Sequence, residues 1–69
     1  MLKRSITLAG HRTSVALEPE FWRALEYVAE QKKLSLPSLL VEIDKGRGDR
    51  SLASAARVAA LMYFSPDAL

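Results

Sequence analysis

The sequence predicts a mainly α protein with a short N-terminal β-strand, followed by three helices and completed by a second copy of the chain. Three observations carry this. Polar and apolar residues alternate over Arg12–Leu17, then recur at helical spacing once Glu18-Pro19 has interrupted them. Two later apolar stretches each follow a serine suited to capping a helix. The third is size: with 69 residues and no cysteine, a single domain spanning residues 1–69 is small and has no disulfides to support it. One histidine and scattered acids do not make a structural zinc site, so no metal is expected either. Oligomerisation remains, and a hydrophobic share of 49% is high enough to furnish a core divided between two chains.

The elements follow in order. "RSITL" (Arg4–Leu8) and "TSVAL" (Thr13–Leu17) are alternating runs with β-branched residues, separated by "AGHR", whose Gly10 permits a turn. The second run, a strand over about residues 12–17, pairs either with the first in a hairpin or with another chain. Pro19 suits the first position of a helix over about residues 19–32, with Glu18 and Glu20 at the positive end of its dipole. Phe21, Leu25, Val28 and Ala29 form its apolar stripe, and Trp22 widens it. Ser35 caps a second helix over about 36–45, whose buried face holds Leu36, Leu39, Leu40 and Ile43. Gly46–Asp49 ends it. Ser51 caps a third helix over about 52–64, in which Leu52, Ala56, Ala59 and Met62 share a face and Arg57 is the only charge. A helix so apolar over most of its circumference requires cover. Ser65-Pro66 stops it.

Composition excludes several function classes. No apolar run approaches the roughly 18 residues of a membrane span. The N-terminus lacks the apolar core of a secretory signal, so a cytoplasmic protein with no membrane partner is expected. No nucleophile–base–orienter set surrounds the lone His11, and no glycine-rich phosphate loop is present, so neither enzymatic activity nor a cofactor is expected. Arg47–Asp49 spells an adhesion tripeptide, but the glycines around it are accounted for by the end of the second helix.

Charge distribution points to a partner. The net charge is only +2, yet residues 1–17 carry Lys3, Arg4 and Arg12 with no acid before Glu18. Alternation puts Thr13, Val15 and Leu17 towards the core and Arg12, Ser14 and Ala16 outside. A guanidinium fork, a hydroxyl and a methyl suit guanine, a variable base edge and a thymine methyl. A two-stranded antiparallel ribbon fits the major groove of DNA, and pairing Thr13–Leu17 with its copy in a second chain builds one. The core of such a dimer is drawn from Val15, Leu17, Phe21, Leu25, Leu36, Leu39, Leu40 and Ile43.

From "TSVAL" through "EPEFWRALEYVAEQKKLSLPSLLVEI", about half the chain, the sequence resembles the ribbon-helix-helix DNA-binding family. "KRSITLAGHRTSVALEPEFW" looks like a branch of small bacterial members with a third helix. The resemblance implies an intertwined homodimer with an intermolecular antiparallel ribbon, acting as a transcriptional regulator on double-stranded DNA. It implies base-facing roles for Arg12, Ser14 and Ala16, and a phosphate anchor at Ser35 and Leu36. Lys3 and Arg4 are expected to contact the DNA backbone. Three positions depart from the family pattern: Lys33 where glycine is common between the helices, Ala16 where a polar reader is usual, and Pro37 near the phosphate anchor. The alternative is an antitoxin-like interaction module that uses the third helix to bind a partner protein.

Overall fold

The computed structural model describes residues 1–65 and 67. The elements run β1 (Leu2–Leu8), β2 (His11–Leu17), α1 (Pro19–Gln31), α2 (Leu36–Lys45) and α3 (Leu52–Phe64). β1 and β2 pair antiparallel in register Leu2↔Leu17, Arg4↔Val15, Ile6↔Thr13 and Leu8↔His11. Of the two partners left open for the second strand, its own chain supplies one. The loop between them is Ala9-Gly10 alone, because His11 and Arg12 already belong to β2. Both loop residues have positive φ, 50° and 83°. That is the mirror-image turn whose twist matches the flanking strands. Gly10 adopts it freely, whereas Ala9 does so at a cost of about 1–2 kcal/mol.

Cross-strand partners share a face, so the register divides the hairpin into two sides. Arg4, Ile6, Leu8, Val15 and Leu17 point towards the helices, and Ile6, Val15 and Leu17 are buried there. Lys3, Ser5, Thr7, Arg12, Ser14 and Ala16 occupy the other side.

α1 starts at Pro19, whose fixed φ and missing N–H suit a first helical position. Glu18 caps it through the backbone, its carbonyl accepting from Phe21 N at 2.9 Å and Trp22 N at 3.2 Å. The Glu18 side chain reaches α3 instead, where Arg57 Nε donates to Oε1 at 3.0 Å. Its own backbone N–H, and then that guanidinium, hold the Glu18 carboxyl below its ordinary value.

Trp22 is the centre of the helix's buried face. It is 1% exposed, and Nε1 donates to the carbonyl of Leu2 at 2.7 Å. Arg4 lies over its ring at 4.8 Å and pairs with Glu26 at 3.3 Å. The stripe expected on Phe21, Leu25, Val28 and Ala29 is therefore turned. Trp22 joins Leu25, Val28 and Ala29 inside, while Phe21 is only half-buried against α3. The physical reason is β1: a strand over this side of α1 rewards the residue that can both fill the gap and satisfy an end carbonyl.

α1 is followed by its C-cap Lys32, and Lys33 takes φ 58°. Leu34 N bonds Ala29 O at 2.9 Å and Lys33 N bonds Glu30 O at 3.1 Å, the two reciprocal bonds of a Schellman motif. Leu34 then turns onto the core. Ser35 caps α2, its Oγ accepting from Ser38 N at 3.2 Å. Leu39 and Leu40 are buried, and Leu36 and Ile43 partly so. After Gly46, Arg47 closes the loop by donating to Asp44 Oδ1 and to the Arg50 carbonyl, both at 2.6 Å.

Ser51 caps α3 in the same way as Ser35, accepting from Ser54 N at 3.1 Å. The buried residues are Ala55, Ala56 and Ala60, which let α3 approach α1 and α2 closely. The face expected on Leu52, Ala56, Ala59 and Met62 is thus rotated towards Ala60. Within one chain the larger residues Leu61, Met62, Tyr63 and Phe64 stay 40–53% exposed. Ser65 N bonds Leu61 O at 2.8 Å, while the stop expected at Pro66 lies outside the described residues.

Lys33 is a direct test of local strain. A lysine in left-handed geometry costs on the order of 1 kcal/mol relative to glycine. Lys33→Gly should raise the urea midpoint by the equivalent of about 1 kcal/mol with an unchanged slope. A lowered midpoint would show that the Schellman turn tolerates lysine without strain.

Candidate nucleic-acid interface

The hairpin's outer side is polar except for Ala16. Lys3, Ser5, Thr7, Arg12 and Ser14 are exposed and Ala16 is half-buried. The register places them as three cross-strand pairs, Lys3↔Ala16, Ser5↔Ser14 and Thr7↔Arg12. A cation stands at each end of the face, on opposite strands, and no acid occurs before Glu18. Such a surface holds no charge that would repel a polyanion, and it presents ammonium, guanidinium and hydroxyl donors.

Its edge is also defined. A two-residue loop closes on a hydrogen-bonded pair, here Leu8 and His11, and alternate pairs along the ladder follow the same pattern. The N–H and C=O groups of Arg12, Ser14 and Ala16 therefore point away from β1, towards the free edge of β2. Among the described residues, no backbone bond outside the hairpin involves them.

Arg12, Ser14 and Ala16 thus lie together on the outer side, and Lys3 joins them from β1. Arg4 does not. It is on the helix side, held by Glu26 and the Trp22 ring. Ser35 and Leu36 belong to a different element, the first turn of α2. Donors are scarce there: Pro37 has none, Ser38 N is taken by Ser35 Oγ, and Leu39 N bonds the Ser35 carbonyl at 3.0 Å. The Leu36 N–H is the remaining first-turn donor with no partner among the described residues. Ser35 Oγ itself donates to Ser38 Oγ at 2.9 Å.

Val15, Leu17, Leu25, Leu39 and Leu40 are buried within the one chain, with Phe21, Leu36 and Ile43 packed partly against them. Ser5 and Thr7 were not singled out by the sequence. The alternation of "RSITL" carries their signal, but placing them beside Arg12 and Ser14 requires the two-residue turn. His11 is exposed beside the turn.

No helix among the described residues is long and apolar enough to cross a membrane, and no group of three or more metal-ligating side chains occurs among them. No curated protein and no solved structure matches the chain. A family model described as a ribbon-helix-helix domain matches residues 1–64, a span that takes in the hairpin, both capped helices behind it and α3. The chain belongs to the ribbon-helix-helix family.

Proposed function

We propose that the protein is a sequence-specific DNA-binding regulator of transcription that acts in the cytoplasm as a homodimer. The observation that carries this reading is the acid-free outer side of the hairpin, bordered by a strand edge that has no backbone partner among the described residues. Pairing β2 with β2 of a second copy about a twofold axis at Ser14 uses the edge groups of Arg12, Ser14 and Ala16 together. It also sets Arg12 of each chain opposite Ala16 of the other, on the outer side. The two β2 strands then form the ribbon that enters the major groove. Arg12 reads guanine, Ser14 a variable base edge, and Ala16 a thymine methyl. Lys3 and the Leu36 N–H at the start of α2 take backbone phosphates. Arg4, engaged by Glu26 and Trp22, serves to hold the hairpin in place.

A second reading is favoured by one feature, the apolar end of α3, where Tyr27, Tyr63 and Phe64 cluster with ring centroids 5.1–6.3 Å apart. An antitoxin-like module would use this surface for a partner protein. The two readings separate on Phe64→Ser. If the surface belongs to the dimer, this change weakens self-association and DNA binding together. If it serves a partner, both survive.

The regulator reading is tested at Arg12. Losing a good bidentate base contact costs roughly 1–3 kcal/mol per site. On a selected operator panel at two salt concentrations, Arg12→Ala should relax the preference at symmetric positions and leave the fold intact. Equal losses on operator and random duplexes would make Arg12 a backbone contact and remove the proposed readout.

A further inference from the structure

The ribbon expected from a single strand per chain has two strands, but here every β2 brings β1 with it. Joining two copies through the free edges of β2 therefore makes a four-stranded sheet in the order β1-β2-β2-β1. Its width matters. Strands lie about 4.8 Å apart, so the two β2 strands run within about 2.4 Å of the axis and the two β1 strands about 7 Å from it. The major groove is about 12 Å wide, giving walls about 6 Å from its centre. The central strands fit between those walls, whereas the outer ones fall above them, where the phosphates are.

The residues that β1 presents there suit the position. Lys3, Ser5 and Thr7 are exposed, share the outer side with the β2 readers, and alternate with Arg4, Ile6 and Leu8 on the other side. One cation and two hydroxyl groups in a row match phosphate oxygens, which accept from both. They carry little of the planar, bidentate character that base reading favours. The inner side of the same strand is tied to α1 through the Leu2 carbonyl and Arg4, so the row is held at a fixed height against the helices.

We propose that Lys3, Ser5 and Thr7 form a phosphate-binding row on β1, one row on each rim of the groove that the paired β2 strands read. The assignment rests on the proposed DNA-binding dimer. It divides the hairpin by strand: β2 discriminates bases and β1 grips the backbone without regard to sequence.

The test measures Lys3→Ala, Ser5→Ala and Thr7→Val on a selected operator and on random duplex, across a salt series, with circular dichroism to establish folding. Each variant should lose affinity by roughly threefold to tenfold, equally on both duplexes. Lys3→Ala should also flatten the salt slope by about 1.8, since each of two phosphates per dimer contributes about 0.9. The two hydroxyl variants should leave the slope unchanged. Altered base preference in Ser5→Ala or Thr7→Val would overturn the proposal, because it would place β1 inside the groove beside β2, as when a single hairpin is inserted. Unchanged affinity in all three folded variants would overturn it as well. Failure of the wild-type protein to select any duplex would instead remove the DNA-binding reading on which the row depends.

Discussion

The hydrogen bond from the Trp22 indole to the Leu2 carbonyl, made by a side chain that is 1% exposed, ties the start of the hairpin to α1, while α2 packs against the same strand. A two-stranded hairpin alone is marginal in water and has no inherent inner side. Once Trp22 fills the space beneath β1, the even-numbered residues of that strand must face the helices. The register then carries the choice into β2, burying Val15 and Leu17 and leaving Arg12 and Ser14 outside. A slip of one residue would exchange the two sides completely. The surface read as a nucleic-acid interface is in this sense a consequence of a packing contact on the opposite side of the sheet.

Around that contact the chain accepts several local costs. Ala9 and Lys33 both hold positive φ without being glycine. The first makes the tight turn that keeps β1 and β2 in one chain, and the second makes the sharp reversal between α1 and α2. Each costs on the order of 1 kcal/mol, a substantial fraction of the stability expected for a domain of this size. The charged contacts are more modest: the Arg4–Glu26 pair is half-exposed and screened by solvent, so its worth lies mainly in holding Arg4 over the Trp22 ring. α3 has the opposite character. Its alanines achieve close packing on one side, while Leu61 to Phe64 form an apolar end that stays exposed among the described residues.

The fold class was legible because its signals are local. Pro19 marks a helix start by its missing N–H, and Ser35 and Ser51 mark theirs by the hydroxyl that accepts from the third residue on. Helix faces were less legible. The 3.6-residue period locates an apolar stripe but not its centre, and the difference between Phe21 and Trp22 is decided by β1, which is remote in sequence. The same holds for α3, where alanine at the contact and bulk at the margin is a property of the neighbours. The role of Arg4 was not readable at all from charge. A cation in a basic segment suggests a phosphate, and only the register reveals that Arg4 is on the side of Glu26 and Trp22. The six-residue outer face needed the loop length, and "AGHR" reads naturally as four residues when two suffice.

β1 and β2 of one chain form the hairpin, and in the proposed dimer β2 alone meets the second copy. Isotope-filtered nuclear Overhauser spectra of a mixture of labelled and unlabelled chains test it directly. Non-hydrogen-bonded pairs bring Cα atoms to about 4.5 Å, which gives strong cross-strand contacts between Hα protons. Those contacts for Ser5–Ser14 and Thr7–Arg12 should arise within one chain only, and contacts between chains should join β2 to β2 around Ser14. Contacts from β1 of a labelled chain to β2 of an unlabelled one would rule this arrangement out, because the outer face would then be assembled from two chains rather than built into each.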